Sequence, residues 1–132
     1  MEHHSFIRTR FCESDAFGHI NNVSFFIYLE QARVDFFVDS HILDATKDWS
    51  FVVASQRCDY IKQAYITQNL VVKTGVSNIG NTSVSLKHKI VDQSSEELIA
   101  KGEVVLVAFD FTRQQSQPLN ERMIEKLKQY TL

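Results

Sequence analysis

"NVSFFIYLEQARVDFFVDS", residues 22–40, is the stretch on which the fold turns. Phe25, Phe26, Leu29, Ala32, Phe36 and Phe37 recur at three- and four-residue spacing, the period of an α-helix. Val23, Ile27, Val34 and Val38 carry the apolar surface further round the cylinder, leaving a narrow polar strip of Glu30, Gln31, Arg33 and Asp35. A helix this apolar has to be covered on most sides. Asn21 or Asn22 supplies its cap, because a carboxamide oxygen accepts one of the unpaired N–H groups of the first turn. His41 lies at the other end, where the helix dipole tolerates a cation.

Strands surround this helix in sequence. "FIRTRF" (Phe6–Phe11) alternates, with Ile7, Thr9 and Phe11 on one face and Arg8 and Arg10 on the other, and predicts a half-buried strand. After a linker around Asp44–Trp49, four stretches rich in Val and Ile, at 51–61, 69–79, 82–92 and 97–110, predict longer strands. Gly80-Asn81 and "DQSSE" (92–96) are hairpin turns by composition. Within the third of these strands Val84, Leu86, His88 and Ile90 share one face, and Ser85, Lys87 and Lys89 the other. His88 there is expected to be a hydrogen-bonded core histidine. Pro118 precedes a short helix capped by Asn120, with Met123, Ile124 and Leu127 as its inward stripe and Leu119 and Ile124 spaced for a hydrophobic staple. Strand, long helix, four strands, short helix is an α+β order. Its simplest packing is one domain over residues 1–132, a curled antiparallel sheet wrapped around one central helix.

Composition narrows the function classes. Hydrophobic residues make up 44% of the 132, with 10 Phe, enough for a packed core. The net charge of −2, with acid and base interspersed, gives no nucleic-acid footprint. Glu30, Arg33 and Asp35 interrupt the apolar runs, so no membrane span is expected. "MEHHSFIRTR" holds no apolar signal core, which predicts a cytoplasmic protein. Cys12 and Cys58 form no CxxC pair and are expected to be two buried thiols. There is no GxSxG, no metal-spaced His/Cys/Asp cluster and no glycine-rich phosphate loop, so neither a serine nucleophile nor a metal is expected.

Polar chemistry is concentrated instead in "DAFGHINN" (Asp15–Asn22), directly before the long helix. "RTRFCESDAFGHINNVSFFIYLEQAR" (8–33) resembles the opening signature of the hotdog-fold acyl-CoA thioesterases of the 4-hydroxybenzoyl-CoA thioesterase-like group. The matching positions are Asp15, Gly18, His19, Asn21, Asn22, Tyr28, Glu30, Ala32 and Arg33. "CDYIKQAYITQNLVVKTGVSNIGNTSVSLKHKI" (58–90) and "AKGEVVLVAFDFTRQQSQPLNE" (100–121) continue the resemblance over nearly the whole chain. "YITQNL" (65–70) departs from it, lacking the acidic residue many members carry before this strand.

The resemblance implies a hotdog fold and hydrolysis of an acyl-CoA thioester, coenzyme A being part of the substrate and no other cofactor being needed. Asp15, expected at the end of the first strand and facing the helix start, would attack the carbonyl as a nucleophile or serve as general base on a water. The backbone N–H near Asn22 would hold the oxyanion. Gly18 would allow a tight turn and close backbone approach. His19, Tyr28 and Ser83 are candidate substrate contacts, and Arg57, Lys62 and Arg113 candidate partners for the CoA phosphates. The bare residues also admit plainer roles: Asp15 as a cap or turn residue, His19 as a structural histidine, Tyr28 as core, and Glu30 and Arg33 as an i, i+3 pair or a dimer contact. Exposed sheet edges and the resemblance together imply a homodimer or homotetramer with a shared site. The alternatives are a thioesterase acting on acyl-carrier protein, a non-catalytic acyl-thioester binder, and a hydratase on the same fold.

Overall fold

The computed structural model describes residues 1–132. Its main elements are β1 (His3–Ile7), α1 (Asn22–Asp39), β2 (Phe51–Tyr60), β3 (Leu70–Ile79), β4 (Ser83–Asp92), β5 (Leu98–Asp110), β6 (Gln115–Ser116) and α2 (Glu121–Lys128). The sheet runs β1-β3-β4-β5-β2, with every neighbour antiparallel, and β6 adds a short pairing to the end of β5. The long helix and the four long strands fall where periodicity puts them, to within about a residue at each end.

The sheet curls around α1. The helix stripe Phe25, Leu29, Ala32, Phe36 and Phe37 is buried, and it meets the alternate inward residues of the strands. Around its N-terminal half pack Leu70, Val72, Ile90 and Ile99; around its C-terminal half pack Phe51, Val76, Val84, Leu86 and Leu106. Leu119 and Leu127, flanking and ending α2, close the second cluster. Opposite Leu29 stands Gly102, where a Cβ would lie 2.7 Å from Leu29 Cδ1. No helix is long and apolar enough to cross a membrane.

Four expectations are corrected. The first strand is His3–Ile7, not Phe6–Phe11, because its partner β3 begins at Leu70, opposite Ile7. Beyond that point the chain leaves the sheet and Phe11 stands 84% exposed. Polar residues in β1 face inward because α1 offers them carboxylates: His3 Nε2 is 2.8 Å from Asp39 Oδ2, and Ser5 Oγ donates to Asp35. Arg33 lies on the buried stripe rather than the polar strip, one turn after Leu29 and two after Phe25, with Glu30 3.6 Å away. Val23 and Ile27 are exposed, so α1 keeps one uncovered apolar face within the chain. Finally, Cys12 is exposed and Cys58 half-buried, and both are free thiols.

Candidate active site

Between β1 and α1 the chain folds into a tied loop. Thr9 Oγ1 donates to the Ile66 carbonyl at 2.7 Å, and residues Phe11–Glu13 form one 3-10 turn. The Glu13 side chain then turns inward, contrary to the usual exposure of a glutamate. It accepts from the Arg10 backbone N–H at 2.8 Å, from Arg10 Nε and Nη2 at 3.2 and 3.1 Å, and from the Tyr28 hydroxyl at 2.6 Å. Burial alone would raise the Glu13 carboxyl. The bonds from Tyr28 and from the Arg10 backbone and guanidinium outweigh it and hold the group below the usual carboxylate range. Burial, then the Glu13 carboxylate, push the Tyr28 phenol up.

Asp15 follows two residues later, not at the end of β1 as expected but in a closed turn. Its backbone N–H donates to the His19 carbonyl at 2.7 Å, and its carbonyl accepts from Gly18 at 3.2 Å. Its Oδ1 accepts from the N–H groups of Phe17 and His19 at 2.8 and 3.0 Å. Gly18 makes the turn possible with φ +80°, a conformation that L side chains rarely adopt. The second carboxylate oxygen accepts no hydrogen bond and sits 3.7 Å from His19 Nδ1. Asp15 is therefore both the turn residue and an exposed carboxylate with one oxygen that accepts no hydrogen bond. His19 packs edge-on to Tyr65, ring centroids 4.8 Å apart.

The loop returns directly to the helix. Ser14 and Ile20 form an antiparallel bridge, and the Asn21 N–H donates to the Glu13 carbonyl at 2.9 Å. Asn21 is the cap, its Oδ1 accepting from Ser24 N and Oγ, each at 3.0 Å. Asn22 is the first helical residue and is exposed; its carbonyl takes the Tyr60 hydroxyl at 3.0 Å. The N–H groups of Asn22 and Val23 have no acceptor in the chain. Such first-turn donors, at the positive end of the helix dipole, suit an anion. A pocket of about 190 Å³ opens beside Asn22, Phe25 and Tyr60. A second groove of about 420 Å³ lies between β1 and α1, with Phe6, Ile7, Ile27 and Tyr28 on it beside Arg8, Arg10, Glu13, Gln31 and Asp35.

The structure holds Asp15, Gly18 and His19 in one turn and sets Asn22 at the start of α1, just beyond the Ser14–Ile20 bridge that closes that turn. Tyr28 lines the β1–α1 groove, whose walls include none of these four, and its hydroxyl is engaged by Glu13. Ser83 is not part of this group: it opens β4 at the hairpin end of the sheet, beside Gly80 and opposite Val107. Arg57 pairs with Asp59 at 3.2 Å, Lys62 with Glu97, and Arg113 with Asp110 at 3.8 Å, all on the surface. The residue that sequence reasoning missed is Glu13. Its partner Tyr28 lies fifteen positions on, and no local spacing signals the contact.

Comparison with known proteins places these features in a group. The family model of the thioesterase-like superfamily matches residues 9–127. The chain is 37% identical over 101 residues to the protein YsmA of Bacillus subtilis (strain 168), covering 76% of this chain and 68% of that one. It is 24% identical over 125 residues to the long-chain acyl-CoA thioesterase FadM of Escherichia coli (strain K12), covering 93% and 95%. A predicted thioesterase from Bacillus stearothermophilus superposes with a TM-score of 0.87 at 29% identity, covering 100% of this chain and 98% of that one. A thioesterase complexed with coenzyme A and Zn from Thermus thermophilus superposes with a TM-score of 0.82 at 28% identity, covering 96% and 92%. The curled sheet around α1 is the hotdog fold that the sequence resemblance implied.

Proposed function

Since the chain belongs to the thioesterase-like superfamily, we propose that it hydrolyses acyl-CoA thioesters to the free acid and coenzyme A, with Asp15 as its catalytic carboxylate. The observation that carries this reading is the two-sided state of Asp15: Oδ1 is fixed by two backbone N–H groups, while the other oxygen accepts no hydrogen bond. A carboxylate oriented in this way keeps one oxygen for chemistry at no reorganisation cost.

In the nucleophilic route the open oxygen attacks the thioester carbonyl. The C–S bond breaks, CoA leaves as its thiolate, and water then cleaves the mixed anhydride. In the general-base route the same oxygen takes a proton from a water, that water's oxygen attacks the carbonyl, and the C–S bond then breaks with CoA leaving as its thiolate. Both routes develop an oxyanion, which the free N–H groups at the start of α1 would stabilise. His19, 3.7 Å from Asp15, would line the reacting end, and the hydrophobic part of the β1–α1 groove, Phe6, Ile7, Ile27 and Tyr28, would take part of the acyl group. Coenzyme A as the carrier is supported by what two relatives are named for: FadM as a long-chain acyl-CoA thioesterase, and the Thermus thermophilus protein as a complex with coenzyme A.

The working unit is a homodimer or homotetramer in this proposal. β2 is an edge strand, paired only with β5, and residues 53–57 are exposed on both faces. An open edge of this kind is a ready template for a second copy. A monomer in sedimentation would refute it.

The test of the activity is thiol release from a panel of CoA esters, acetyl through palmitoyl plus benzoyl, by the wild type and by Asp15→Asn. Turnover that collapses in the folded variant supports the proposal. Absence of release from every ester would leave a non-catalytic acyl-thioester binder, and equal release by both proteins would place the attacking oxygen elsewhere than on Asp15.

A further inference from the structure

Within that reading of Asp15, we propose that Glu13 is the positioning residue of the site: its carboxylate anchors the Asp15 loop to the buried face of α1 and so sets where the catalytic oxygen stands relative to the helix start. Glu13 is 4% exposed, and three separate parts of the chain end on it. Its side chain holds Arg10, at the entrance of the loop, through both backbone and guanidinium. The same side chain accepts from Tyr28, on α1. Its backbone carbonyl holds the N–H of Asn21, at the exit of the loop and the cap of that helix. The segment Ser14–Ile20 therefore leaves from and returns to one residue, and the Ser14–Ile20 bridge closes it.

The chemistry of the group explains why a carboxylate stands here. Four donors converge on its two oxygens, two of them from a guanidinium, and a carboxylate accepts all of them without presenting a donor of its own. A glutamine would set an NH₂ against either Arg10 or Tyr28. A buried carboxylate is costly unless paired in this way. Glu13 makes no side-chain hydrogen bond to Asp15, so its effect passes through the backbone of residues 14–20.

Tyr28→Phe removes the tie to the helix and leaves the loop tie; Glu13→Gln keeps the shape and breaks one side. Two readouts separate positioning from ordinary destabilisation. The first is amide hydrogen exchange at Phe17, His19 and Asn21, compared with the mid-helix amides of α1. The second is kcat and KM on whichever CoA ester the wild type turns over. The expected result is exchange about tenfold faster at those three amides with mid-helix protection unchanged, and kcat lower by about tenfold or more with KM within about twofold, the scale of one lost charge-assisted bond. Unchanged loop exchange and unchanged kcat in both variants would overturn the proposal. So would a uniform loss of protection across α1 with kcat intact. A wild type inactive on every ester would instead sink the catalytic reading of Asp15, while local quickening of the three amides would still support the anchor.

Discussion

Thr74 Oγ1 lies 2.8 Å from His88 Nδ1, the two residues being register partners on β3 and β4 and both fully inside the core. The other ring nitrogen, Nε2, has no partner, and neither has Arg33 Nη1 on the helix above. Burial first, and the Arg33 guanidinium second, push the His88 pKa down to about 3. The imidazole is therefore neutral in the fold at pH values where the unfolded chain takes up a proton. That makes the sign unambiguous: stability is complete above the unfolded value, near 6.5, and falls as pH drops from there toward 3. Between pH 7 and pH 5 the loss from this group is about 2 kcal/mol. Urea unfolding at the two pH values measures it, and His88→Gln, which retains an amide to meet Thr74, removes most of the difference.

Gly18 tests whether the loop is held by backbone conformation or by packing. No atom lies within 4 Å of the place a Cβ would occupy, so space is not at issue, and φ +80° is. Gly18→Ala is expected to cost about 1 kcal/mol from that strain. Gly18→Asn, which tolerates the left-handed region better, is expected to cost less. Chemical denaturation ranks the three proteins, and equal stabilities would show that the turn relaxes around the new side chain.

The two helix caps are a matched pair. Asn21 Oδ1 accepts from Ser24 N at 3.0 Å, and Asn120 Oδ1 accepts from Met123 N at 2.8 Å. Replacing either by Ala is expected to cost about 1 kcal/mol. Their consequences differ. Asn21→Ala loosens the end of α1 that carries the free N–H groups and so lowers thioester turnover as well, whereas Asn120→Ala leaves turnover unchanged, since α2 packs at the other end of the sheet. Turnover measured beside denaturation for both variants separates the two effects.

What is legible in the sequence follows from this architecture. Periodicity reports which way side chains face within a regular element, and α1 and β2–β5 are long enough to average over local exceptions. Arg33 shows where residue type misleads: its charge suggests the polar strip, but its spacing from Phe25 and Leu29 puts it on the buried stripe. β1 keeps its alternation but lacks the expected C-terminal half, since the start of β3 sets how far it pairs. β6, two residues long, carries no period at all. At the site, Asp15, Gly18 and Asn22 are close in sequence and can be read as a motif. Glu13 and Tyr28 meet only because a loop folds back on a helix, and Ser83 is carried by β4 to the hairpin end of the sheet.

Asp15 has two roles that substitution can separate. As the turn residue, it needs only an oxygen at Oδ1 to accept from Phe17 and His19. As the catalytic carboxylate, it needs the charge and the second oxygen. Asn supplies the first and not the second; Ala supplies neither. Asp15→Asn is therefore expected to unfold at the same denaturant concentration as the wild type while losing about 100-fold or more in thioester turnover. Asp15→Ala is expected to lose about 1 kcal/mol of stability in addition, from the missing turn bonds. Turnover retained by Asn and lost by Ala would mean that Asp15 serves the loop alone, and would place the attacking oxygen elsewhere.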